Sequence, residues 1–267
     1  MLKISVLFLV YFFVSVRGVD LRIAGGEIAN ISRFPFLTAL LTNQGSGAFV
    51  QKCGGSILTS NAILSAASCF YTDGELNNFA WWRARVGSSN ANSGGTVYII
   101  NRITAHESFS PSTLVNDIAV LRTNLPISFQ SNLIAAASIA GTGYTYTDNE
   151  NVWAVGWGVT HAGADAIPPE QLRVALVRLI NQQTCTSRHS EPQSGFTVTN
   201  TMICAGWLDV GVNGQCEGDV GGPLLDASGA VIGVFSYAHG CADLYYPDIN
   251  TRVASYTPWI IDAARAP

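Results

Sequence analysis

The segment CEGDVGGP (216–223) surrounds one position with a cysteine, acids and three glycines, a composition that can hold a side chain up from a tight turn. The side chain so presented is Val220, which has no nucleophile, proton or charge. A mount of this kind does chemistry when it carries a hydroxyl or thiol beside a base. Asp219 lies next to it, and a second acid, Asp117, stands inside NDIAVL (116–121). The four histidines are scattered and no C-x-x-C occurs, so neither a metal site nor a cofactor is expected.

The ends and the charge narrow the setting. Residues 1–18 place Lys3 before the apolar run ISVLFLVYFFVSV (4–16) and finish on Gly18. About thirteen apolar residues are too few to span a bilayer comfortably, so 1–18 reads as a secretory signal peptide. No later segment has eighteen unbroken apolar residues, and a secreted, extracellular protein is expected. Export places the six cysteines where disulfides form, although six allow fifteen pairings and spacing does not choose among them. Lys3, Arg17, Arg22 and Asp20 lie in the first 22 residues, so the remainder carries 11 basic and 17 acidic residues, a formal −6. That balance disfavours nucleic acid, heparin-like polymers and anionic membrane surfaces as partners.

The elements that must position these residues are mostly short strands. GGSILTSNAILSAASCF (54–70), GTVYIINRITAH (95–106), NDIAVLRT (116–123), NVWAVGWGVT (151–160) and GAVIGVFSYAHG (229–240) are apolar runs split by Gly, Asn and Ser. Runs of four to eight residues rich in Val, Ile and aromatics predict an all-β sandwich or barrel. Helical periodicity is expected at TPWIIDAARA (257–266) and over INQQTCTSR (180–188). The polar stretch GTGYTYTDNEN (141–151) divides the chain, which predicts two packed all-β units split near 130–150. No internal repeat is strong enough to argue for duplication.

Seven motifs occur in one order: RIAGG (22–26), CGGSILTSNAILSAASC (53–69), NDIAVL, GWG (156–158), MICAG (202–206), CEGDVGGP and TPWI (257–260). In this the chain resembles the trypsin- and chymotrypsin-like serine peptidases over everything after the signal peptide. The resemblance implies two six-stranded antiparallel β-barrels with the site between them, and a C-terminal helix. It implies disulfides Cys53–Cys69, Cys185–Cys204 and Cys216–Cys241. It also implies a short propeptide, 19–22, ending in a trypsin-type cleavage site at Arg22, with a serine peptidase domain over 23–267. The ammonium freed at Ile23 would then pair with Asp219.

Such enzymes use a serine, a histidine and an aspartate. Carried over residue by residue, the histidine position is Ser68, the aspartate is Asp117 and the serine position is Val220. Only the acid is retained, while Gly218 and residue 220 keep the backbone N–H groups of an oxyanion site. His106 and His239 are the nearest substitutes for the base by motif context. These replacements lead to the expectation of a catalytically inactive homologue, not an enzyme, that binds a protein, a peptide or a protease inhibitor through the old cleft. The alternatives are a digestive-type secreted endopeptidase and an azurocidin-like antimicrobial or polysaccharide-binding homologue, the last disfavoured by the acidic charge.

The pocket positions differ too. Gly214 stands where trypsin-like members have an acid, and Asp248 in YYPDINTRV takes a position usually held by Gly. An acid moved across the pocket floor would favour Lys or Arg side chains. Ser236, Tyr237 and Ala238 form the expected wall, with the methyl of Ala238 narrowing it. Asn30-Ile31-Ser32 is an N-glycosylation acceptor.

Overall fold

The computed structural model describes residues 26–266 apart from 46, 161–166, 192, 193, 195 and 212. Six strands form the first barrel: β1 (Leu37–Thr42), β2 (Val50–Thr59), β3 (Ala62–Ser65), β4 (Trp82–Val86), β5 (Thr96–Ala105) and β6 (Ala119–Thr123). They pair in the order β1-β2-β3-β6-β5-β4 and close through β1 against β4. The second six are β7 (Asn151–Gly156), β8 (Arg173–Ile180), β9 (Met202–Gly206), β10 (Pro223–Leu225), β11 (Val231–Tyr237) and β12 (Asp248–Arg252). Their order, β8-β7-β10-β11-β12-β9 with β9 closing on β8, is the same cyclic order as in the first barrel. Two antiparallel barrels therefore share one topology without a legible sequence repeat. Period-2 burial and turn chemistry are enough to specify that topology, and many sequences satisfy both.

Closure explains the burial. On β4 the alternation is clean, with Trp82, Ala84 and Val86 inside and Arg83 and Arg85 outside. Trp82 meets Phe70 edge to face, 4.7 Å between ring centroids. Every residue of β1 is buried, because its outer face is covered as well. Each large side chain so buried contributes about 1.5–3 kcal/mol.

The chain ends fasten the barrels to each other. A short strand, Glu27–Ile28, leads into the first barrel yet pairs with β8 of the second. The C-terminal helix α2 (Val253–Arg265) follows the second barrel yet receives Arg122 of β6, whose Nη1 donates to the Ala264 carbonyl at 2.6 Å. This helix starts one turn before the expected 257, because Val253 and Tyr256 extend its buried stripe upstream. Pro258 consequently lies inside the helix, not at its start. The shorter helix α1 (Gln182–His189) is capped by Asn181, whose side chain accepts from the N–H groups of Gln183 and Thr184. All three implied disulfides are formed: Cys53–Cys69, Cys185–Cys204 and Cys216–Cys241.

Candidate functional site

Asp117 enters the site from the turn before β6 and is fully buried. Ser68 stands on the 3-10 turn Ala67–Phe70 that follows β3, beside the Cys53–Cys69 bridge. Its N–H donates to Asp117 Oδ1 at 2.7 Å and its Oγ to Oδ2 at 2.8 Å. Ser236, on β11 of the other barrel, donates to the same Oδ2 at 2.6 Å. One carboxyl thus ties both barrels together. Burial raises its pKa to about 6, and these donors hold it from rising further.

The cleft above this acid is a cavity of about 290 Å³ whose lining includes Ser68, Tyr71, Gly218, Val220 and Ser236. The structure therefore brings the three triad positions together, with a hydroxyl at 68 and an isopropyl group at 220. Backbone hydrogen bonds fix Val220: its carbonyl accepts from Gly54 of β2 at 2.8 Å. Gln51, also on β2, reaches across to donate to the Gly218 carbonyl at 2.7 Å. No sequence motif marked Gln51; only its proximity to Cys53 could have drawn notice. The two substitute bases are occupied elsewhere. His106 packs on Tyr256 and Trp259, and His239 lies against Tyr246.

Asp219 is buried under the 216–223 turn, where it accepts from the N–H groups of Gly158 at 2.6 Å and Cys216 at 3.1 Å. A Cβ on Gly158 would come within 2.2 Å of its carboxylate, which is why GWG ends in glycine. Burial raises this carboxyl also to about 6, against the two amide donors. Arg22 and Ile23, the expected cleavage site and ammonium partner, lie outside the described residues.

Of the expected pocket residues, Gly214 lies against Asp248, a second buried acid. Asp248 opens β12 between β9 and β11, and its Oδ2 accepts from the Gln215 N–H at 2.6 Å. A Cβ on Gly214 would meet that same oxygen at 3.0 Å, so the expected juxtaposition of 214 and 248 is present. Burial, with repulsion from Asp219 and Asp243, raises the Asp248 pKa well above the carboxylate range. The amide ends of Gln215 and of Asn250, two residues along β12, are buried and without partners among the described residues. Tyr237 stacks on Phe196 at 4.9 Å, and Ala238 follows it at the end of β11.

One further histidine lies against the chain next to Asp248. His189, at the end of α1, is buried with Nε2 at 2.9 Å from the Pro247 carbonyl, one residue before Asp248. Its sequence context, a polar helix end, gives no sign of that contact. Among the described residues no cluster of metal-ligating side chains occurs, and no helix is long and apolar enough to cross a membrane.

The trypsin family model matches residues 23–260. The chain is 45% identical to Trypsin CFT-1 of Choristoneura fumiferana and 44% identical to Trypsin, alkaline B of Manduca sexta, in each case over 90% of both chains. Trypsin alpha of Drosophila melanogaster is 36% identical over 92% of this chain and 89% of its own. These relatives correct the expectation of a catalytically inactive, binding-only homologue, and of the azurocidin-like variant of it. Chains this similar along nine tenths of their length are named trypsins, which favours a serine endopeptidase. With its barrels, its cleft and its motifs all in the same order, the chain belongs to the trypsin family.

Proposed function

We propose that this chain is a secreted, digestive-type serine endopeptidase that holds a basic side chain over Asp248 and an extended peptide in the cleft between its barrels. The identity of 44–45% to trypsins over 90% of the chain carries the reading. The segment 1–18 and the three disulfides support secretion. Release after Arg22 by a trypsin-like protease, and protein inhibitors as occupants of the cleft, belong to the same reading. Asn30 is exposed at the cap of a 3-10 turn, its side chain accepting from the Ser32 N–H, a surface position suited to an N-linked sugar.

Acyl transfer in this cleft has to run through the groups present. Ser68 Oγ lines the cavity and donates to a carboxyl of pKa about 6, a stronger base than a solvated aspartate. The N–H groups of Gly218 and Val220 are the oxyanion donors that the family resemblance assigns. No imidazole relays the proton, so the expected rate is low. In the subtilisin case, loss of the serine or histidine costs about 2 × 10⁶ in kcat and leaves roughly 10³–10⁴ over water.

Hydrolysis of an arginine peptide amide by the chain cleaved after Arg22 tests this, with Ser68→Ala alongside. Turnover above the uncatalysed rate, reduced at least about tenfold in the variant, is the expected result. No turnover by the wild-type chain overturns the proposed activity. Undiminished turnover by the variant overturns the role of Ser68.

A further inference from the structure

His189 is a buried titratable group that the chemistry above leaves unused. Its ring closes the end of α1 and lies between two partners, Ser194 Oγ at 2.9 Å from Nδ1 and the Pro247 carbonyl at 2.9 Å from Nε2. A carbonyl only accepts, so Nε2 carries the hydrogen, and Nδ1 of the neutral ring accepts from the Ser194 hydroxyl. Phe196 and Tyr246 pack on the ring, with centroids 5.8 and 5.4 Å away. Charged and titratable groups face it from three sides. His239 lies beyond Tyr246, Asp243 stands in the 242–247 loop, and Asp248 follows the bonded carbonyl. On the outer side Arg188 is turned away to Asp209, and Glu191 to the Tyr245 hydroxyl.

We propose that neutral His189 is a positioning residue for the pocket floor, so that binding of a guanidinium or amidinium group over Asp248 is coupled to the protonation state of this ring. The proposal rests on the reading of Asp248 as the cation-binding floor. Asp248 has one backbone donor, from Gln215, so its position depends on where the chain at 247 is held. The His189 hydrogen bond supplies that hold from outside the pocket. A proton added at Nδ1 removes the acceptor that Ser194 uses and puts a charge into a site closed by two aromatic rings. Burial, reinforced by His239 and opposed by the Pro247 hydrogen bond and Asp243, lowers the His189 pKa accordingly. As pH falls the anchor changes state, and the floor loosens with it.

Benzamidine affinity of the full chain cleaved after Arg22, measured at pH 8 and pH 5.5, tests the coupling in wild type, His189→Gln and His189→Leu. At pH 8 the leucine variant, which has no donor for the Pro247 carbonyl, is expected to bind about tenfold more weakly. The glutamine variant keeps a donor without titrating and is expected to stay within about threefold of wild type. Any loss of affinity at low pH that comes from Asp248 is shared by wild type and His189→Gln. Wild type should lose at least about threefold more, because only it also protonates at 189. Wild-type affinity in His189→Leu at pH 8, or an equal acid loss in His189→Gln, overturns the proposal.

Failure of the underlying reading looks different: benzamidine then binds nowhere, or binds equally to Asp248→Ala. Hydrogen exchange of amides 242–250 at pH 8 still decides the role of His189 in that case. Exchange at least about tenfold faster in the leucine variant, but not in the glutamine variant, supports it. Equal exchange in all three chains overturns it.

Discussion

Asp117 and Asp248 are both carboxyls sealed from solvent, one in each barrel, yet they are furnished in opposite ways. Donors from two barrels converge on Asp117, among them the Ser68 N–H, the Ser68 hydroxyl and the Ser236 hydroxyl. Asp248 accepts from one backbone N–H, while the side-chain amides of Gln215 and Asn250 have no partner at either end among the described residues. Burial pushes both pKa values up from the ordinary 3.8, to about 6 for Asp117, where several donors oppose it, while at Asp248 one amide donor opposes burial and the repulsion of Asp219 and Asp243. An acid so supplied with donors is held fixed between the barrels, in contact with Ser68. An acid short of donors, beside amides short of partners, fits the proposed role of binding a cation, since buried polar groups that stay unpaired cost about 1–3 kcal/mol each.

The largest effect should come from the wall that Asp117 organises. Val220→Ser combined with Ser68→His rebuilds the three-residue relay over an acid and an oxyanion turn already in place. We expect kcat/KM on an arginine peptide amide to rise by about 10⁴-fold or more, and either single change to do far less, because such residues act as a unit. Active-site titration with a serine-directed phosphonate reads the new nucleophile directly. A folded double variant without a gain would mean that Asp117 is wired only for structure.

Removing each acid in turn should split stability from binding. Asp117→Ala strands an amide and two hydroxyls and is expected to destabilise the chain by about 3 kcal/mol. Asp248→Ala strands one N–H while removing an unsatisfied carboxyl, so its stability should stay within about 1 kcal/mol of wild type. Urea unfolding gives both numbers. Benzamidine affinity should show the reverse pattern: a loss of about 30- to 100-fold for Asp248→Ala, from a charge-assisted pair. For Asp117→Ala a change of less than about threefold is expected, since that acid is held between the barrels. Two acids with the same ranking in both measurements would erase the distinction between them.

The same contrast shows what was legible in the sequence. Strand-like runs, turn residues and motif order placed both barrels, the three disulfides and the meeting of residues 68, 117 and 220, because each rests on local pattern or on a motif of several residues. Gly214 beside Asp248 was also readable, by counting from Cys216 for the one and along YYPDINTRV for the other. The unpaired amides of Gln215 and Asn250, the Gln51 bond to Gly218 and the His189 bond to Pro247 were not. Each depends on one side chain meeting a backbone group far along the chain: 167 residues away for Gln51 and 58 for His189. Such contacts have no period and no composition to announce them. The start of α2 was misplaced for a related reason. The periodicity is clearest from 257 on, while packing of Val253 and Tyr256 sets the start four residues earlier. Function was missed in the other direction, because weight given to two replaced residues hid the similarity of the rest.

The smallest effect expected is a pH dependence of stability, and it separates the acids from the histidine. For Asp117 the folded pKa of about 6 lies above the ordinary 3.8, so burial favours the protonated form. That contribution is complete below 3.8 and is lost as pH rises through about 6. His189 works in the opposite sense. Its folded pKa is lowered from 6.5, so between the two values the unfolded chain holds the extra proton. Its contribution is therefore complete above 6.5 and is lost as pH falls towards the lowered folded value. Each unit of lowering is worth about 1.4 kcal/mol. His189→Gln removes this term and leaves the carboxyls untouched. The difference in unfolding free energy between wild type and variant should be flat above pH 7, then shift against wild type as pH falls below about 6.5. The acids cancel in that difference, so a curve that stays flat down to pH 5 would place the proton-sensitive element elsewhere than at the pocket floor.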